Sequence, residues 1–169
     1  FCFFYFFIRT LGLSRQTALF TSISYCYGSY TIATINTLNN LSTLIWLPAI
    51  LCSLNMAVAD RKPSAYFIAI LFICSSILGG EPQLTTFTSV LILFYAFIVI
   101  PENKAPLKDR VRHSGIVVLL IFSACMIAFV QLGSTYIDYK NSARLRGLNF
   151  TDATYYSLPI DSLKHFLIP

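Results

Sequence analysis

Long runs of apolar residues, separated by short polar turns, cover most of this chain. Each run approaches or reaches the roughly 20 residues that an α-helix needs to cross the hydrocarbon core of a bilayer. The alternation of apolar and polar residues that is typical of a membrane β-barrel is not visible. The pattern therefore predicts an all-α, polytopic transmembrane helical bundle with about five full spans, a truncated first helix and a short extracytoplasmic interfacial helix.

Turn-forming residues between the apolar runs set the expected boundaries. Gly12 and Ser14 end the truncated first helix, Pro48 is expected to kink or break the run that contains it, and Gly79 and Gly80 form a turn. We expect residues 1–133 to form the transmembrane region and residues 134–169 to form an extracytoplasmic loop with the interfacial helix. The expected spans lie near residues 1–8 (truncated), 16–37, 41–58, 64–78, 84–100 and 114–132.

Composition and charge agree with membrane insertion. The chain is 56% hydrophobic and 11% charged, whereas a soluble domain has about 25% charged residues. Its net charge of +5 does not indicate nucleic-acid binding, because the basic residues of the short loops all fall on alternate turns. Basic residues in short loops prefer the cytoplasm, so these loops are predicted to be cytoplasmic in a plasma-type membrane and residues 134–169 to lie outside. The residues are Arg9, Arg15, Arg61, Lys62, Lys104, Lys108, Arg110 and Arg112.

Neither a metal site nor a cofactor site is expected. The five cysteines all lie within apolar stretches and have no zinc-type or redox-type spacing. The two histidines, His113 and His165, have no clustered ligand residues beside them. The chain has no nucleophile-elbow, P-loop or zinc-protease motif.

Candidate chemistry is therefore sought at the outer turns. Glu81, between Gly80 and Pro82, is interpreted either as a cation-binding carboxylate or as a solvated turn residue. Arg144 and Arg146 follow the last span, where their guanidinium groups could clamp a phosphate or bind anionic lipid head groups. The segment 158–167 is the expected interfacial helix.

The chain begins and ends within apolar segments, and we expect it to be an internal fragment of a longer protein. A series of short motifs follows in a fixed order along the chain: the segment 9–15, the segment 25–30 with Gly28, Asn39, the segments 46–48 and 79–83, Ser142-x-Arg144, and 157–159. In this order the motifs resemble those of the YfhO-like bacterial membrane proteins of the GT-C glycosyltransferase superfamily.

The resemblance implies an enzyme of the bacterial inner membrane that transfers a sugar from a polyprenyl-phosphate-linked donor on the extracytoplasmic face. The family's catalytic carboxylate would precede Phe1, so the resemblance assigns no catalytic residue here. Glu81 and Gln83 match the family's Gly-x-Pro-Gln turn, and Arg144 matches its Ser-x-Arg turn. These residues, with Arg146, are the candidates for a polar lining and for binding the carrier phosphate.

Two other functions remain open at this point. A transporter or flippase for lipid-linked saccharides would also place polar helices around a cavity, and a non-catalytic subunit of an envelope assembly would need no site. No acidic or basic residue lies in the middle of an expected span, which argues against a proton-coupled pump. The expected partners are the lipid bilayer and a polyprenyl-phosphate-linked sugar, not nucleic acid.

Overall fold

The computed structural model describes residues 1–59, 63–99, 106–142 and 154. The regular elements in this part of the chain are α-helices, which confirms the all-α prediction there. They are α1 (Cys2–Thr10), α2 (Arg15–Cys26), α3 (Ser29–Thr34), α4 (Leu38–Leu44), α5 (Leu47–Ala59), α6 (Pro63–Leu78), α7 (Pro82–Ile98), α8 (Leu107–Ile127) and α9 (Phe129–Asn141). The chain divides into two compact units, Phe1–Leu132 and Gly133–Pro169, and the boundary falls within α9.

The turn between α1 and α2 follows from its local sequence. The N–H of Gly12 donates to the carbonyl of Arg9 at 3.1 Å, and Gly12 has a φ of +78°, a conformation that costs a residue with a Cβ more than it costs glycine. Ser14 then caps α2, because its hydroxyl accepts a hydrogen bond from the N–H of Thr17 at 3.1 Å. The turn predicted from Gly12 and Ser14 is therefore present.

Two of the expected spans contain breaks. The run over 16–37 is divided into α2 and α3 at Tyr27 and Gly28, where Gly28 adopts an extended conformation before α3. A Cβ on Gly28 would lie 3.1 Å from the carbonyl oxygen of Ser24, so the break is closely packed. The run around 41–58 is interrupted at Ile45 and Trp46, just before Pro48 in the first turn of α5, which agrees with the break expected at that proline.

The last predicted span differs most from the observed helix. α8 begins at Leu107, seven residues before the expected start at 114, and ends at Ile127. Charged side chains at the start of a helix do not prevent helix formation, and Asp109 in the first turn interacts favourably with the helix dipole. α9 then covers Phe129–Asn141, so the residues from 134 to 141 are helical where a loop was predicted. The interfacial helix expected at 158–167 lies outside the described residues.

The core of the first unit lies where α5 and α6 pack together, with α1 and α8 beside them and α7 against α8. Small residues allow the helices to approach closely: Ala18, Ala69, Ala96 and Ala124 are completely buried. α4 and α6 also approach closely, and the hydroxyl of Ser76 donates to the carbonyl of Thr43 at 2.9 Å.

Two helical segments of the described chain are long and apolar enough to cross a membrane. They are Leu38–Val58, which combines α4 and α5, and Leu107–Ile127. The apolar helices Pro63–Leu78 and Pro82–Ile98 are shorter. All four segments are classified by length and composition only.

Candidate functional site

The described basic residues of the first unit gather at one end of the bundle. α1 and α5 run in the same direction, since Phe3 packs on Trp46 near the start of α5 and Thr10 bonds to Asn55 near its end. Arg9 thereby lies beside the end of α5 and the start of α6. At the same end, Arg110 donates to the carbonyl of Phe97 in the last turn of α7 at 3.1 Å. We call this region, which also includes Lys108 and Arg112 of the first turns of α8, the basic end.

A polar pocket of about 550 Å³ opens at the basic end. Its walls come from the end of α5, the start of α6 and the start of α8. The guanidinium of Arg112 and the imidazole of His113 offer donors, and the carboxyl of Asp109 offers an acceptor. Such a set suits a small polar ligand with an anionic group. The described lining residues are Ala57, Val58, Pro63, Tyr66, Asp109, Arg112, His113 and Ile116.

Asn55 joins three helices through its side-chain amide. Its Nδ2 donates to Oγ1 of Thr10 in α1 at 3.1 Å, and its Oδ1 accepts from the hydroxyl of Tyr95 in α7 at 2.9 Å. Thr10 in turn donates to the carbonyl of Phe7 at 2.6 Å. We call this chain of bonds the Asn55 tie. Each polar atom of the Asn55 side chain thus bonds to a different helix, so the tie fixes the orientation of α1, α5 and α7.

An apolar groove of about 460 Å³ runs between α1, α5 and α6. Its one charged lining residue among those described is Arg9, at the basic end. A mostly apolar groove with a single cationic end is suited to an amphiphile rather than to a polar metabolite. The described lining residues are Phe3, Phe6, Arg9, Thr10, Ala49, Cys52, Ser53, Met56, Ala65, Ile68 and Phe72.

Glu81 and Gln83 lie at the end of the bundle opposite to the basic end, in the connection from α6 to α7. Glu81 is half-buried and directly precedes α7, and its side chain makes no capping hydrogen bond. Its carbonyl accepts the hydroxyl of Thr85 at 2.9 Å. Gln83 is exposed in the first turn of α7. Gly80, with a φ of +81°, forms the turn that was expected there.

The other two predicted site residues, Arg144 and Arg146, lie outside the described residues. Of the four candidates, the structure therefore places only Glu81 and Gln83, which lie together at the start of α7. Within the described part of the chain, no group of three or more His, Cys, Asp or Glu residues could hold a metal ion.

Sequence reasoning missed the Asn55 tie, the polar pocket and the apolar groove. The tie had a sequence signal, because an isolated asparagine within an apolar span often bonds across a helix interface. The pocket and the groove had no such signal, since their walls come from helices that are distant in sequence.

No protein-family model matches the chain, and neither a curated protein nor a solved structure matches it.

Proposed function

We propose that this chain is a multi-pass helical part of a membrane protein. The observation that carries the proposal is the apolar outer surface of α7 and α8. Large apolar side chains on these helices are more than half exposed, whereas soluble proteins rarely expose continuous apolar patches above a few hundred Å². Lipid chains would solvate this surface without cost. The residues are Phe87, Val90, Phe94, Leu119, Phe122 and Ile127.

The charge distribution supports one orientation in the membrane. Arg9, Lys108, Arg110 and Arg112 belong to the basic end, while Glu81 lies at the opposite end. Basic residues near the ends of spans favour the cytoplasmic side. The proposed orientation therefore places the polar pocket in the cytoplasm and the turn at Glu81 outside.

Labelling of single cysteines tests both insertion and orientation. In a variant without native cysteines, Gln83→Cys and Lys108→Cys introduce thiols at exposed positions of the two ends. In intact cells, a membrane-impermeant maleimide is expected to label the thiol at 83, and to label the thiol at 108 only after permeabilisation. Labelling at 108 in intact cells would overturn the orientation, and release of the protein by alkaline carbonate would overturn insertion.

For the outer end we propose sugar transfer from a polyprenyl-phosphate-linked donor. The proposal rests on the family resemblance, which makes Glu81 and Gln83 candidates for a polar lining and Arg144 a candidate for binding the carrier phosphate. Arg146, two residues further along the chain, is the second candidate for the phosphate. The position of Glu81 and Gln83, opposite to the basic end, is compatible with chemistry on the extracytoplasmic face. A flippase for lipid-linked saccharides and a non-catalytic envelope subunit are the rival functions.

Sugar release from a polyprenyl-phosphate donor, measured with the full product of the gene in membranes, distinguishes these functions. Glu81→Gln and Arg144→Ala are expected to lower transfer, because each removes a charge from the proposed site. Lys108→Gln, at the opposite end, is the matched control and is expected to retain transfer. Unchanged transfer in both site variants would overturn the assignment, and movement of the donor across the bilayer without sugar release would identify a flippase.

A further inference from the structure

The apolar groove between α1, α5 and α6 has the dimensions of a short stretch of hydrocarbon chain. From Phe3 to Arg9, α1 advances six residues, or roughly 9 Å at 1.5 Å per residue. Half of the hydrocarbon core of a bilayer is about 15 Å thick. Ala49 and Ala65 are almost completely buried along the groove, and their small side chains leave its width open. The groove therefore extends through much of one leaflet from the basic end.

The position of Arg9 at one end of this groove makes the site amphipathic. The guanidinium donates one hydrogen bond to the carbonyl of Leu13, and Gly12 shapes the turn that brings this carbonyl into reach. A guanidinium has five N–H donors, so this bond orients Arg9 and leaves other N–H groups able to donate to a ligand. Arg9 is exposed, which leaves it accessible to a ligand from the membrane surface.

We propose that the groove binds one acyl chain of an anionic phospholipid from the cytoplasmic leaflet, with the lipid phosphate on the guanidinium of Arg9. The inference rests on the proposed membrane insertion, with the basic end in the cytoplasm. Charge complementarity selects the ligand, because an apolar channel that ends in a cation fits an acyl chain that ends in an anion. The neighbouring basic residues of the basic end add attraction for anionic head groups.

Trp46 provides a native probe for the acyl chain. It is the single tryptophan of the chain, and its ring lies 5.9 Å from that of Phe3 and 5.7 Å from that of Phe72, measured between centroids. Both phenylalanines line the far end of the groove. A chain that carries bromine near its middle and occupies the groove would come close to Trp46 and quench its fluorescence.

The experiment places the full chain in phosphatidylcholine vesicles that contain an equal, minor fraction of either brominated phosphatidylglycerol or brominated phosphatidylcholine. We expect stronger quenching by the anionic lipid. Arg9→Gln is expected to lower this preference about tenfold, which is equivalent to ~1.4 kcal/mol. Arg15→Gln is the matched control, since Arg15 is exposed on the same turn but does not line the groove, and it is expected to keep the preference.

The possible outcomes separate failure of insertion from failure of the lipid site. Absence of quenching by either brominated lipid would contradict insertion itself. Equal quenching by the two lipids, or a preference that survives Arg9→Gln, would leave insertion intact and overturn the lipid site. Loss of the preference on addition of inorganic phosphate would identify Arg9 as a site for free anions and would also overturn the proposal.

A steric test uses the two methionines of the chain. Met56 lines the groove, whereas Met126 is exposed on α8. Met56→Trp is expected to fill part of the groove and to reduce the phosphatidylglycerol retained in native mass spectrometry several-fold, while Met126→Trp retains it. Equal retention by the two variants would contradict binding in the groove. Appearance of a dimer that Met56→Trp dissociates would instead identify a second copy of the chain as the occupant.

Discussion

Replacement of Gly79 by alanine tests the close contact between α4 and α6. A Cβ at this position would lie 2.5 Å from Oγ1 of Thr43, 2.7 Å from its backbone nitrogen and 2.9 Å from its Cα. Two of these three atoms belong to the backbone, so rotation of a side chain cannot relieve the contact. The helices would have to separate, which would also lengthen the 2.9 Å hydrogen bond from Ser76 to the carbonyl of Thr43.

The expected cost combines two effects. Overpacking in a well-packed interior costs about 1–3 kcal/mol, and an interhelical hydrogen bond in a membrane protein contributes about 0.6 kcal/mol. We therefore expect Gly79→Ala to lower the free energy of unfolding by about 2–3 kcal/mol. For a chain of this length the decrease in Tm would be roughly 4–12 °C. Thermal unfolding of the full chain in detergent, followed by Trp46 fluorescence and circular dichroism, measures this shift.

Gly115→Ala is the matched control, because a Cβ at Gly115 in α8 meets no atom within 4 Å. Alanine in a helix is more stable than glycine by about 0.5–1 kcal/mol, so this variant is expected to be as stable as the unchanged chain or slightly more stable. When Thr43→Ala is combined with Gly79→Ala, it should restore only part of the lost stability, since the contacts with the backbone nitrogen and Cα of residue 43 remain. A Gly79→Ala variant with unchanged Tm would refute the close approach of α4 and α6.

The remaining predictions concern the Asn55 tie and the turn between α1 and α2. In a double-mutant cycle of Asn55→Leu and Tyr95→Phe, the coupling free energy is expected to be about 0.6 kcal/mol and at most about 1.7 kcal/mol, measured by reversible unfolding in mixed micelles; zero coupling would contradict the 2.9 Å bond between them. Ser14→Ala should destabilise the chain by about 1 kcal/mol through loss of the cap of α2, while Ser14→Thr, measured in the same thermal assay, should be close to neutral. Gly12→Ala should cost about 1 kcal/mol because of its positive φ, and a more stable variant would show that the turn adopts another conformation.

The sequence predicted those helices whose boundaries are marked by local signals. α6 and α7 were expected at 64–78 and 84–100 and are observed at Pro63–Leu78 and Pro82–Ile98. A proline stands at the start of each helix, where its missing N–H has no intrahelical partner to lose. The start of α8 was missed because the charged residues near Lys108 were interpreted as a loop, although charged side chains at a helix start extend readily into water.

The sites were less predictable than the helices. Glu81 was located by the turn residues around it and Gln83 by the family resemblance, and both lie at the end opposite to Arg9. The groove required knowledge of which faces of α1, α5 and α6 meet. That information resides in the packing of residues such as Ala49 and Ala65, whose small size is compatible with many other arrangements.

The Asn55 tie also has a consequence for the order of events during synthesis of the chain. Its two interhelical bonds join residues that are separated by 45 and 40 positions. Ribosomes add about 5–20 residues per second, so Asn55 emerges roughly 2–9 s after Thr10, and Tyr95 roughly 2–8 s after Asn55. During the first interval neither bond can form, and during the second only the bond between Thr10 and Asn55 can form, so α7 joins the tie last. Translation pauses between α5 and α7 would lengthen the second interval and give other proteins more time to contact Asn55.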